Sequence, residues 1–195
     1  MKFKSTGLLG EGLKGNRLRN TGKVWKKIIL WGSVGFILLS QPIYARAESS
    51  GITSVYDDGI PINVRIYCEV IGNQFNICPE VLESMAYQES RFKVDAANGP
   101  YKGLMQVNVN IHSERIAKYG YTPEDMTTSA YANILIAGDY LAELYALYGD
   151  ENPIVLSVYS GNWDAVADYK EYGFLTPYVD EVLTRSASYE RKHQK

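Results

Sequence analysis

The segment from Pro79 to about Ser90 reads as a helix, and it carries a carboxylate where its apolar side should be. Leu82, Met85 and Ala86 lie seven, four and three positions before Glu89, so all four share one helical face. A carboxyl on that face loses hydration and its pKa rises. A carboxylic acid kept protonated near neutral pH is what a general acid must be. On this one fact the default is plainer: the helix end frays and Glu89 points to water. Other chemistries are poorly served. The chain has two His, His112 and His193, too few for a His-rich zinc site. A Ser-His-Asp triad would have to use His112, and no nucleophile-elbow pattern accompanies it. No metal and no cofactor are expected.

The surroundings of Glu89 change the balance. Glu89-Ser90 is followed by Arg91-Phe92, then by Gly103-Leu104-Met105-Gln106. Asn133-Ile134 with Gly138 and Tyr140-Leu141 come next, then Val158-Tyr159-Ser160-Gly161, then Tyr178-Val179 with Val182. In order and spacing this series resembles the lytic transglycosylases of the soluble-lytic-transglycosylase type, which have a goose-lysozyme-like catalytic domain. Those proteins read as an ES pair, a GLMQ segment, an N-I-x-x-G-x-x-Y-L helix, an A-Y-N-x-G segment and a late Y-V. The resemblance runs from about Asn63 to Leu183.

It implies a mainly α fold of the α+β lysozyme-like kind, a compact helical catalytic domain with a substrate cleft. It also implies cleavage of the bond between N-acetylmuramic acid and N-acetylglucosamine in peptidoglycan. Glu89 would protonate the glycosidic oxygen and then act as base on the muramic 6-hydroxyl. The product would be a 1,6-anhydro sugar, with no water consumed. Glycosidases usually need two carboxylates. No convincing second one is found here, since Asp95, the nearest, reads as a turn residue before Ala96-Ala97-Asn98. Intramolecular attack needs only Glu89.

Further roles follow from the resemblance alone. Ser90 would hydrogen-bond within the catalytic centre, or is simply a helix-end hydroxyl. Met105 would pack against a sugar face, or is plain core. Gln106 would hold an acetamido group or hydroxyl through its amide. Tyr159 and Tyr178 would direct their hydroxyls toward the catalytic carboxyl. The chain departs from the pattern at A-Y-N-x-G, where Ser160 stands for the usual Asn and Gly161 falls one place early. A serine at a substrate-contacting position has a shorter reach. Two alternatives remain open on the same fold: a true hydrolase of the lysozyme-like muramidase kind, and a non-catalytic wall-binding assembly protein.

The elements that must position these residues can be read from periodicity and punctuation. Asn63 to Gly72 is a short helix with Val64, Tyr67, Cys68 and Ile71 on one stripe. Pro79 fits a first helical position, followed by Glu80 and Glu83. Residues 95–110 read as irregular or weakly extended, with a turn at Asn98-Gly99-Pro100. Ile111 to Tyr119 is a modest helix, and Thr122-Pro123-Glu124-Asp125 a helix start. The clearest helix is Ser129 to Tyr148; its Gly138 costs about 1 kcal/mol against Ala and points to another backbone packing close. A helix from Pro153 to Tyr159, a loop at Ser160-Gly161-Asn162 and a last helix from Thr176 to Ser188 complete the reading.

The chain has 195 residues and a net charge of -2, but the charge is split. Through Ala47 there are nine Lys and Arg against one acidic residue, which leaves 11 against 21 beyond it. An acidic globular part argues against nucleic acid. Lys23, Lys26 and Lys27 precede an apolar run from Ile28 to Leu39, then Pro42 and Ala45-Arg46-Ala47. Residues 1–47 therefore read as a signal peptide, or as an uncleaved N-terminal membrane anchor. Residues 48–62 read as a flexible lead-in, and 63–195 as the lysozyme-like transglycosylase domain. The expected location is the cell envelope or outside the cell. The expected partner is the glycan strand of peptidoglycan, with work for a secretion, conjugation or cell-wall machine by analogy, and membrane contact only through an uncleaved N-terminal segment. Cys68 and Cys78 are the two cysteines. Export allows a disulfide between them, which would tie the first helix to the start of the helix bearing Glu89; two unpaired thiols is the equal alternative.

Overall fold

The computed structural model describes residues 58–193. The leader of residues 1–47, and the lead-in as far as residue 57, lie outside them. The final residues of the lead-in are packed: Ile60 is fully buried, and Asp58 Oδ1 accepts a hydrogen bond from the Ile60 amide at 3.2 Å.

Helix α1 spans Ile62–Phe75 and buries the expected stripe, Val64, Tyr67, Cys68 and Ile71. It ends at Asn76 in the left-handed conformation, a common helix stop. Helix α2 follows at once, Pro79–Ser90, with Pro79 at its start and Glu80 in its first turn. Its end is abrupt. Arg91 and Phe92 both have positive φ, 57° and 62°, and the Arg91 amide returns to the Tyr87 carbonyl at 2.9 Å. This turns the chain away directly after Glu89-Ser90.

The segment read as weakly extended forms a small antiparallel sheet of two-residue strands: β1 Ala97–Asn98, β2 Tyr101–Lys102 and β3 Val107–Asn108. Ala97 pairs with Lys102, and Lys102 with Val107. Helix α3 is shorter than expected, Ser113–Lys118. The helix start at Thr122-Pro123 becomes only a 3-10 turn, Glu124–Thr127. There Asp125 Oδ2 accepts from the Thr122 amide at 2.7 Å and from its hydroxyl at 2.9 Å. Ser129 then caps α4, Ala130–Tyr148, by accepting from the Ala132 amide.

α4 is the central element, buried on most of its first three turns. At Gly138 it meets α1 closely, as the sequence suggested, but through side chains rather than backbone. A Cβ there would lie 2.6 Å from Ile71 Cγ2 and 3.1 Å from Phe75 Cδ2. Helices α5, Asn152–Tyr159, and α7, Pro177–Lys192, match the reading, with α7 ending four residues later and capped by Thr176. Between them lies α6, Asp164–Tyr172, which the sequence reading missed. α7 packs along α2, where the Ser84 hydroxyl donates to the Val182 carbonyl at 2.7 Å. The fold is mainly helical with one small sheet, as expected. No helix among the described residues is long and apolar enough to cross a membrane.

The expected disulfide is not formed; Cys68 and Cys78 are both free thiols. Cys68 belongs to the α1 stripe and is fully buried in the core. Cys78 is exposed at the start of α2, where its thiol lies 3.1 Å from Glu80 Oε2. The stripe that makes Cys68 a good core residue turns it inward, while the helix start holds Cys78 at the surface.

Candidate active site

Glu89 sits in the last turn of α2, half-buried. It does not fray into water. The hydroxyl of Tyr178, in the first turn of α7, donates to Glu89 Oε1 at 2.6 Å. Burial pushes the Glu89 pKa above the ordinary carboxylate range, and the Tyr178 bond pulls it part of the way back. The Tyr178 hydroxyl is itself held well above its usual pKa by burial and by the facing carboxylate, so it stays a donor.

The GLMQ segment lies across the end of α2 and is clamped by a residue whose role sequence reasoning missed. Asn133, fully buried on α4, accepts from the Met105 amide at 2.7 Å. Its amide nitrogen donates to the carbonyls of Lys102 at 2.9 Å and Met126 at 3.0 Å. Gly103 makes this approach feasible: at φ 75°, a Cβ would fall 1.8 Å from the Met126 carbonyl oxygen. The signal was present, since Asn133-Ile134 and Tyr140-Leu141 keep the spacing of that helix pattern, with Ala137 where the pattern has Gly and Gly138 one place late.

Of the expected contacts, that of Tyr159 differs, while Met105 and Ser90 take the plainer of their two readings. Met105 is fully buried and has no face for a sugar; it supplies its backbone instead. The Tyr159 hydroxyl donates to the Met105 carbonyl at 2.9 Å, not to the Glu89 carboxyl. The ring still neighbours the acid, whose charge helps raise the tyrosine pKa after burial. Ser90 is buried, and its hydroxyl is directed to the Leu104 carbonyl at 2.8 Å and the Ala86 carbonyl at 3.2 Å. It ties α2 to the GLMQ loop and is not placed to meet substrate.

Next to Tyr159 opens a pocket of about 240 Å³. Gln106, Tyr159 and Ser160 line it, as do His112, Tyr140 and Trp163, to which the sequence assigned no substrate role. Gln106 has φ 47°, and its amide nitrogen donates to the Gly103 carbonyl at 2.8 Å, leaving the amide oxygen for a ligand. The Ser160 hydroxyl turns back to the Ser157 carbonyl at 2.9 Å. Asn162, displaced along this altered segment, accepts from the Ala165 amide at 3.3 Å and starts α6. Tyr140 joins the wall through Tyr159, ring centroids 5.7 Å apart. Asp95 is exposed in a turn. Among the described residues no group of His, Cys, Asp and Glu could hold a metal.

The arrangement is one shielded acid with a fixed hydroxyl donor, beside a pocket walled by aromatic and amide groups. The chain's residues 67–173 match the family described as Transglycosylase SLT domain. X polypeptide of Escherichia coli is 31% identical over 106 residues, covering 52% of this chain and 56% of that protein. X polypeptide of Escherichia coli strain K12 matches to the same extent, so the chain spans about half the length of these curated relatives. Among solved structures, an inactive mutant of the lytic transglycosylase Slt from Pseudomonas aeruginosa superimposes with a TM-score of 0.59. At 19% identity it covers 69% of this chain and 25% of its own, and so speaks for the fold.

Proposed function

The chain belongs to the Transglycosylase SLT domain family, and on that footing we propose that it is a lytic transglycosylase acting on peptidoglycan, with Glu89 as its sole acid and base. The observation that carries this is the half-buried Glu89 carboxyl, raised in pKa and bonded to Tyr178 at 2.6 Å. Protonated Glu89 donates to the glycosidic oxygen as its bond to the muramic anomeric carbon breaks. The carboxylate so formed takes the proton of the muramic 6-hydroxyl, whose oxygen closes on that carbon. Glu89 ends protonated and no water is consumed, which suits a site with one carboxylate. Gln106, through its amide oxygen, and Tyr159, through its ring, bound the sugar on the pocket side.

Glu89→Gln keeps size and polarity and removes the acidic proton. Wall-lytic activity is expected to fall at least ~10²-fold in a folded protein. Mass spectrometry of wild-type products is expected to show muramic ends lighter by one water than hydrolytic ones. Full activity of Glu89→Gln refutes the mechanism, and hydrated ends make the protein a hydrolase on the same site. Export completes the proposal: the basic, apolar and A-x-A run ending at Ala47 would place the domain at the wall. There it would open the glycan locally for a secretion, conjugation or growth machine. N-terminal sequencing of exported protein is expected to begin at Glu48; a start at Met1 would make the segment an anchor.

A further inference from the structure

The outer wall of the pocket depends on a short helix with little apolar support. α3 has six residues, and Ile116 is the one it buries. A helix of this length is not stable by itself. Ile111 and His112, the two residues before it, line the pocket. The seating of α3 on α4 therefore decides where they stand.

Asp139, the α4 residue next to Tyr140, supplies that seat. Its side chain is mostly buried and does not line the pocket. It pairs with Arg115 and accepts from Lys118 Nζ at 3.0 Å and from the Tyr119 hydroxyl at 2.7 Å. All three donors belong to α3 or to the residue that ends it. Burial alone would raise the Asp139 pKa, but the bonds from Tyr119 and Lys118 and the charge of Arg115 outweigh it and hold it below its ordinary value. The carboxylate is thus ionised at neutral pH, and hydrogen bonds to a shielded charge are strong ones. Arg115 also pairs with Glu143 and lies over the Tyr140 ring, 5.5 Å from its centroid. Tyr140 in turn meets His112 at 4.6 Å and Tyr159 at 5.7 Å between ring centroids. Contacts therefore run unbroken from Asp139, through α3, to two rings of the pocket wall.

We infer that Asp139 is a positioning residue for the neighbouring site: it clasps α3 to α4 and so holds His112 and Tyr140 in place as the outer wall of the pocket. For what that wall serves, the inference rests on the glycan-cleaving reading of Glu89. Asp139 itself touches no substrate. Its loss frees α3, the wall moves outward, and the pocket loses its fit without any change at the acid. An asparagine there cannot replace it, because its amide group turns a donor toward donors.

His112 reports on the wall without turnover. Its imidazole is titrated by NMR in the full chain, its signal told from that of His193 by its loss in His112→Gln. Burial first, then Arg115, push its pKa down to about 4, against the smaller upward pull of Glu143 and Asp139. Asp139→Asn removes a negative charge that favours the imidazolium, so with the wall intact the titration stays or falls. With the wall open, His112 gains water and its titration is expected to climb toward the ordinary imidazole value of about 6.5. Tyr119→Phe removes one neutral donor, changes no charge, and is expected to move it the same way by less. On soluble peptidoglycan strands, Asp139→Asn is expected to raise KM roughly tenfold with kcat kept within about twofold. A His112 titration unmoved or lowered in both variants overturns the inference, as does a fall in kcat at unchanged KM. Should Asp139→Asn not fold, Tyr119→Phe carries both readouts. A protein that cleaves nothing loses the proposed reaction, while a raised His112 titration still keeps the clasp. Normal cleavage with an unmoved His112 does the reverse.

Discussion

Tyr178 acts on Glu89 in two opposing ways. It fixes one carboxyl oxygen, and by donating it favours the ionised form. Removing the hydroxyl in Tyr178→Phe leaves burial unopposed, so the Glu89 pKa rises further. A general acid works while protonated, so the alkaline limb of the kcat/KM profile is expected to move to higher pH. The maximum rate should fall by roughly tenfold as the carboxyl loses its anchor; an unmoved limb would remove Tyr178 from this role. Glu83, on the same helix, shows the other face of burial. It is almost fully buried, and its pKa is pushed up to about 7, first by burial and against the pull of His193 and Arg65. Its folded pKa exceeds the unfolded one, so the folded state holds the proton more tightly. Stability from this group is present below about pH 4.5 and lost as pH rises through 7. Glu83→Gln is therefore expected to stabilise the folded state at pH 8 by on the order of 2 kcal/mol in urea denaturation, with the gap closing near pH 5. Of the site, Glu89 and Tyr178 were legible because helical spacing and motif order both bear on them. The Tyr159 hydroxyl was misread because spacing places a residue on a segment but does not say which way its polar atom turns.

The helices differ in how openly they announced themselves. α4 has a capping serine, a long apolar stripe and a terminal Gly149, so periodicity and punctuation agree. α6 buries Ala165 alone; with no stripe to read, nothing marked it in the sequence. The strands are two residues long, below the length at which alternation is visible. The meeting of α1 and α4 at Gly138 gives a measurable consequence. Gly138→Ala gains about 1 kcal/mol of helix propensity, yet its new methyl would lie 2.6 Å from Ile71 Cγ2. Overpacking of this kind costs about 1–3 kcal/mol, so a net loss is expected in urea denaturation. In an Ile71→Ala background, which lacks that Cγ2, Gly138→Ala is expected to cost less than in the wild type.

Across the described region, sequence-distant segments converge in two places. One is the Glu89 site. The other joins Asp58, Arg65, Glu80, Glu83 and His193 where α1, α2 and the end of α7 meet. His193 reaches Asp58 Oδ2 and Glu80 Oε1, both at 2.9 Å, and Arg65 pairs with Asp58. This cluster was not legible, because its partners lie up to 135 positions apart and none belongs to a motif. Two buried-side carboxylates lose a partner in His193→Ala, so a lower Tm is expected near neutral pH, with the Glu89-dependent rate largely kept. A matching loss of activity at temperatures where the variant stays folded would mean that the cluster also sets the site. The pairing of Glu89 with Tyr178 spans 89 positions, and it bears on when the proposed activity would arise during synthesis. A chain synthesised only as far as Gly173 owns the acid but not the hydroxyl that holds it, nor the helix that packs along α2. On the proposed activity, half-made or clipped copies would be poor cutters, and the ability to damage the wall would arrive late in synthesis, with α7.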